Sequence, residues 1–233
     1  TIVNYSTILV FAAHPDDEIQ MAGTIAKLSA AGVRVVVCQF TDGCEGYPTP
    51  DLRDTIVELR KQEADACDRV LGIARRYHLD RPDMALVNDK ETLLEVLRIV
   101  REVRPDAVFT HGPDDFHRDH RTTCDLSLEA TWQAGQPVSS QRGEPWKTPH
   151  VFYYKGVQGR PADINYDVSE YYPKRVEALA EQISQHVLFN STRDTMLAEA
   201  EMVKQAVAQG QKYYEQFWFT DRCHFTDFPP VTR

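Results

Sequence analysis

Two short stretches of this chain are crowded with side chains that hold protons or metals. The first, Ala13-His14-Pro15-Asp16-Asp17-Glu18, puts one imidazole beside three successive carboxylates. The second, His111 to His120, holds three histidines and three aspartates in ten positions. Carboxylates at the start of a helix gain only about 0.3–1 kcal/mol each from its dipole, so crowding beside a histidine is better explained by a bound cation. Imidazole and carboxylate without a nearby thiolate suit zinc, with three protein ligands and a fourth position left open for water. Water in such a position approaches a pKa of about 7 and becomes a hydrolytic nucleophile at neutral pH. Either cluster alone is also compatible with ordinary polar loops, and Asp16 with a simple helix cap. Both together point to a site.

The elements around the clusters explain how they meet. Thr7 to Ala13 is a short, continuous apolar run, as expected of a strand buried on both faces, and Pro15 forces a sharp exit from it. Asp17 to Ala31 has helical periodicity and ends at Gly32. Val33 to Phe40 predicts a second strand, and Asp54 to Leu71, closed by Gly72, a long amphipathic helix. Lys90 to Arg104 predicts another helix, stopped by Pro105 before the strand Ala107 to Thr110. This β-α-β-α order predicts an α/β, Rossmann-like fold: one domain with a mostly parallel sheet and helices on both faces. The second half is less regular, with a surface loop over Gly135 to Pro149, a strand over Val151 to Tyr154, and helices over Tyr171 to His186 and Thr195 to Gln209. Ligands of such sheets bind beyond the carboxyl ends of the strands, where both clusters stand.

The composition narrows the partners. A net charge of −9 over 233 residues argues against nucleic acid, and no apolar run is long enough to cross a bilayer. The N-terminal segment lacks the basic start of a signal peptide. Five scattered cysteines, Cys38, Cys44, Cys67, Cys124 and Cys223, show no CxxC spacing and suggest a reducing compartment, so a cytoplasmic protein is expected.

His14-Pro15-Asp16-Asp17-Glu18 resembles the AHPDDE signature, and His117-Arg118-Asp119-His120 the HPDH signature, of the PIG-L/LmbE-like N-acetylglucosaminyl deacetylases. Thr41-Asp42-Gly43, Arg60-Lys61-Gln62-Glu63 with Leu71-Gly72, Ser184-Gln185 and Tyr214 to Phe217 are similar to later family motifs, so the resemblance covers most of the chain. It implies one zinc ion per chain on His14, Asp17 and His120, with Asp16 as general base. It also implies His117 as general acid or oxyanion-stabilising cation, Asp119 as the residue that orients it, and Arg60 as a substrate contact. For Arg60 the plainer alternative is an intrahelical pair with Glu63. The implied substrate is a small amino-sugar conjugate that loses an N-acetyl or other N-acyl group, and the implied assembly is a homo-oligomer, since relatives are commonly trimers or hexamers.

Arg118 stands where proline is usual, and Gln182 where relatives often carry histidine. His111, His150, His186 and His224 match no family ligand, although His111 lies close enough to support one. Tyr47 and Trp146, in the presumed specificity loops over Cys44 to Asp54 and Gly135 to Pro149, are candidates for stacking on a sugar. Competing readings are a metal-dependent esterase or phosphoester hydrolase, a nucleotide-binding module and a lectin-like sugar binder. The absence of a GxGxxG or GxxxxGK[ST] loop and of a GxSxG elbow weighs against nucleotide binding and serine catalysis.

Overall fold

A computed structural model describes residues 5–220, so Cys223 and His224 lie outside the described residues. Its centre is a sheet in the order β3-β2-β1-β4-β5-β7-β6. The strands are β1 (Thr7–Ala12), β2 (Arg34–Thr41), β3 (Arg75–Arg81), β4 (Ala107–His111), β5 (His150–Lys155), β6 (Ile164–Asp167) and β7 (Tyr214–Phe219). The first five are parallel, and β7 joins antiparallel to both β5 and β6. The helices are α1 (Ala22–Ala30), α2 (Ile56–Leu71), α3 (Lys90–Val103), α4 (Arg118–Ala134), α5 (Tyr172–Ala180) and α6 (Arg193–Ala208).

The apolar runs of β1 and β2 divide between two cores because strand side chains alternate. Ile8, Val10, Ala12, Val35 and Val37 face one layer, with Ile25 of α1 and Leu71 of α2. Leu9, Phe11, Val36, Cys38 and Phe40 face the other, with Leu97 and Val100 of α3 and Leu126 of α4. From β1 the chain works outward through β2 and β3, then crosses back to lay β4 on the other side of β1. The direction of winding therefore reverses between β1 and β4, and a crevice opens there at the carboxyl ends of the strands.

Several sequence expectations need correction. The helix expected from Asp17 begins as a 3-10 turn over Asp17–Met21 and becomes α-helical only at Ala22. The helix expected over Tyr171 to His186 ends at Ala180, and a separate 3-10 segment spans Ile183–Phe189. The loop before β5 lies at the amino ends of the strands, away from the crevice. Five of its and α4's carbonyls, on Ala134, Gln136, Val138, Ser139 and Gly143, accept from the guanidinium of Arg101. Trp146 packs there, donating Nε1 to the Pro105 carbonyl at 2.9 Å, so neither this loop nor its tryptophan meets a ligand in the crevice.

The last described strand braces α1. Glu215 of β7 is buried and accepts from the backbone N–H groups of Gly23 and Thr24 at 2.9 and 2.7 Å, and from the Thr24 hydroxyl at 2.6 Å. It satisfies the otherwise unpaired, buried donors at the start of α1 from a strand almost two hundred residues away. Glu215→Ala would strand two buried N–H groups and is expected to destabilise the fold by about 2–4 kcal/mol. Urea unfolding of the two proteins measures the difference.

Candidate active site

Three strand ends deliver the polar groups of the crevice. β1 leads into His14, Asp16 and Asp17; β3 leads into Asp83; β4 ends at His111 and runs on through Asp115 to His117, Asp119 and His120 at the start of α4. His14 Nδ1 lies 3.1 Å from His120 Nε2, and the Asp17 carboxylate lies 3.4 Å from the first and 3.2 Å from the second. Tetrahedral coordination with bonds of roughly 2.0–2.1 Å separates ligand atoms by about 3.3 Å, so this trio has the spacing of a metal site.

Both imidazoles are braced from behind. His14 Nε2 is 3.0 Å from Asp83 Oδ1 and 3.4 Å from Asp119 Oδ2, and His120 Nδ1 is 3.0 Å from Asp115 Oδ1. Carboxylates behind histidines fix the tautomer and ring orientation and make the facing nitrogen a better donor to metal. Asp17 is aimed by the His14 backbone N–H at 2.7 Å and by His111 Nε2 at 3.3 Å. His111 is fully buried, stacks on His120 with centroids 4.2 Å apart, and meets the Tyr154 hydroxyl at 2.9 Å.

The charge balance calls for a cation. Burial disfavours a charged His14, yet hydrogen bonds that the ring donates to the carboxylates of Asp119, Asp17 and Asp83 outweigh it and push the imidazole up to about 12. Burial likewise opposes charge on Asp17, and His111, His120 and His14 nevertheless hold it well below the usual carboxylate range. Three groups bring one ligand atom per residue within 4.8 Å of one another, and they overlap the trio without coinciding with it: His14/His117/His120, Asp17/His111/His120 and His14/Asp83/His117/Asp119. The group can therefore hold a metal ion.

The three carboxylates of the first cluster part company. Asp17 turns into the trio. Glu18 is fully buried against Arg76 Nη2 at 2.5 Å, a guanidinium that also grips Asp68 and Gln39. Burial, opposed by Arg76, pushes the Glu18 carboxyl up to about 7. Glu18 thus ties the 3-10 turn to β3 and α2 and takes no part in the crevice. Asp16 stays partly exposed, with Oδ2 2.7 Å from Arg60 Nη2.

Arg60 does not form the intrahelical pair with Glu63. Its guanidinium is buried against Asp16, while Glu63 accepts from the backbone and hydroxyl of Ser184. Gln182 is buried, with its amide on Cys67 Sγ, and so does not reach the rim.

His117 caps α4, its Nδ1 accepting from the Asp119 backbone N–H at 3.2 Å. That bond assigns the ring proton to Nε2. Burial, then the charges of His14 and His120, hold His117 below its usual value. The Asp119 carboxylate accepts from the Met84 backbone N–H at 2.6 Å and faces His14. Asp119 hydrogen-bonds His117 through its backbone N–H, while its carboxylate favours charge on the ring through space.

Asp83 is the residue that sequence reasoning missed. It follows β3, an edge strand whose Arg75-Arg76-Tyr77-His78-Leu79 pattern carries only two buried apolar residues. The Pro82-Asp83 pair at its end is the one local signal.

Residues 9–134, more than half of the chain, match the family model of PIG-L, GlcNAc-PI de-N-acetylase. This chain belongs to the PIG-L family. The match spans His14 to His120, including every braced group except Tyr154. Over 135 residues, 56% of the chain, it is 33% identical to the diacetylchitobiose deacetylase of Thermococcus kodakarensis. Over 182 residues, 65% of the chain, it is 31% identical to the 1D-myo-inositol 2-acetamido-2-deoxy-alpha-D-glucopyranoside deacetylase of Streptomyces scabiei. The matched part spans 51% and 56% of the length of those two relatives, about half. A conserved protein of Thermus thermophilus shares the fold with a TM-score of 0.76 and 27% identity, covering 97% of this chain and 98% of that one. No helix among the described residues is long and apolar enough to cross a membrane.

Proposed function

We propose that this PIG-L family protein hydrolyses an N-acyl group, in the first instance N-acetyl, from an amino-sugar-containing small molecule, using one zinc ion on His14, Asp17 and His120. The observation that supports this reading is the trio itself: two imidazole nitrogens 3.1 Å apart, one 3.4 Å from Asp17 Oδ2 and the other 3.2 Å from Asp17 Oδ1, flanked by Asp16 and His117. Two imidazoles and a carboxylate without thiolate suit zinc. The deacetylase names of the relatives from Thermococcus and Streptomyces supply the substrate class. The four described cysteines are free thiols, three of them buried, which supports a cytoplasmic protein.

When bound, zinc would acidify water into the neutral range and polarise the acyl carbonyl. Asp16 takes the proton from the attacking water, since its carboxylate is exposed enough to meet solvent while its neighbour Asp17 is committed to the trio. His117, with its proton on Nε2, donates to the carbonyl oxygen as negative charge develops there. Asp16, now a carboxylic acid, returns the proton to the departing nitrogen, giving a carboxylate and a free amine. No acyl-enzyme forms.

The test is a panel of N-acetylated amino sugars and their conjugates, with free amine and acetate measured together, alongside phosphoesters and carboxylic esters. Equimolar amine and acetate, abolished by chelator and restored by zinc, is the expected result; phosphate release alone would replace this reading with the phosphoesterase one. His117→Ala removes one donor to the oxyanion and is expected to lower kcat by roughly 10²–10³-fold while KM and metal content stay unchanged.

A further inference from the structure

We propose, resting on the amino-sugar reading given above, that Phe116 and Met84 form an apolar lip of the crevice that seats the face of a second ring carried by the amino sugar. The lip would select conjugates over the free sugar. Phe116 directly precedes His117 and is 91% exposed. Its backbone is pinned on both sides. Arg121 donates Nη1 to the carbonyls of Asp115 and Phe116 at 2.7 and 2.8 Å, and the His117 N–H returns to Asp115 Oδ1 at 2.9 Å. Upstream, Asp114 gives its N–H to the Gly156 carbonyl at 2.8 Å and takes the Gln158 N–H on its carboxylate at 3.1 Å. A phenyl ring on so restrained a loop loses little freedom when it meets a ligand.

Met84 supplies the second half of the lip. It is 52% exposed and holds φ at +60°, a left-handed conformation uncommon for a residue with a long side chain. The Asp119 carboxylate keeps it there by accepting its N–H at 2.6 Å. Backbone in this region persists only where its surroundings hold it, and it gathers at ligand sites. Asp119 also links the two residues, since its own N–H reaches the His117 ring next to Phe116. One ligand atom each of His14, Asp83, His117 and Asp119 lies within 4.8 Å of the others. Met84 follows Asp83 and Phe116 precedes His117, so the two border the same side of the crevice. A single exposed apolar side chain is ordinary; two that edge one polar crevice make a surface for a ligand.

Depth decides which part of the substrate reaches them. The trio is buried, His117 is half-buried and Phe116 stands in solvent, so the crevice opens outward in that order. The scissile amide lies at the trio and the amino-sugar ring outside it. Beyond that ring, at the level of Phe116, comes the group that the sugar carries. The face of a sugar or aromatic ring bears apolar surface, and laying it on a phenyl ring and a thioether removes such surface from water on both partners.

The test compares hydrolysis of N-acetylglucosamine with that of its α- and β-phenyl glycosides by the wild type, Phe116→Ala, Met84→Ala and Phe116→Tyr. The wild type is expected to favour the better glycoside by about 10-fold in kcat/KM, the scale of partly burying a phenyl ring. In Phe116→Ala that preference should fall about 10-fold, through KM, with bound metal unchanged. Met84→Ala should lose less of it, and Phe116→Tyr, which keeps the ring, should retain it. A wild type that treats glycoside and free sugar alike overturns the proposal, as does a loss in Phe116→Ala shared equally by both substrates. In the latter case a changed sedimentation coefficient would assign the ring to a contact between copies of the chain. If the wild type cleaves neither substrate, the hydrolytic reading fails on its own, and calorimetry on the zinc-loaded protein still decides the lip. Tighter binding of the glycoside, lost in Phe116→Ala, supports it; equal binding of glycoside and free sugar contradicts it.

Discussion

Asp16→Asn is expected to lower kcat/KM for amide hydrolysis by about 10³-fold, within the usual range for loss of a general base, while the protein still binds one metal ion per chain. The variant keeps the shape of the side chain and its contact with Arg60 but cannot accept a proton. Asp17, His14 and His120 are untouched, and their facing atoms are set by Asp83, Asp115 and the His14 backbone, none of which contacts Asp16. Metal content by elemental analysis and turnover by amine release separate the two effects. A variant that kept full activity would remove Asp16 from the mechanism, and one that lost metal would move it into the ligand set.

The second large effect runs the other way. His14→Ala is expected to lose bound metal and turnover together, leaving the background rate of chelator-treated protein. His14 is where two sets of charge meet: its Nδ1 faces Asp17 and His120, and its Nε2 faces Asp83 and Asp119. Its removal leaves buried carboxylates facing one another with no imidazole between them. Asp83→Ala is the graded companion. It keeps the ligand and removes its brace, and should weaken metal affinity by about 10–100-fold, measured by competition with a chromogenic chelator. Because bound metal must displace the proton that the same carboxylates favour on His14, binding should release protons and weaken as pH falls.

Most of the crevice was legible because its residues sit in two dense clusters directly after strands of continuous apolar sequence. β1, β2 and β4 are buried on both faces, so the apolar run and the polar stop that follows mark each strand and its carboxyl end. β3 was not legible for the opposite reason. It lies at the edge, one face carries Arg76 into an ion pair with Glu18 and Asp68, and only Tyr77 and Leu79 are buried apolar residues. Missing the strand meant missing Asp83 at its end.

The roles of neighbouring residues were harder to read than their presence. Three consecutive carboxylates look equivalent in a sequence, yet the 3-10 turn sends Asp16 to Arg60, Asp17 to the histidines and Glu18 into the core. A histidine with an aspartate two residues on suggests a side-chain pair, whereas the helix start at Arg118 delivers the backbone N–H of Asp119 to His117 instead. Long-range contacts such as Glu215 on α1 and Gln185 on Gly46 depend on where β7 and the 3-10 segment after α5 dock, which local periodicity does not encode.

X-ray data collected across the zinc absorption edge from crystals of the purified protein test the central claim most directly. One anomalous peak per chain is expected at roughly 2.0–2.2 Å from His14 Nδ1, an Asp17 oxygen and His120 Nε2, with His117 and Asp16 outside bonding distance. A peak coordinated by His117 in place of Asp17, or crystals of active protein without any metal in the crevice, would contradict it.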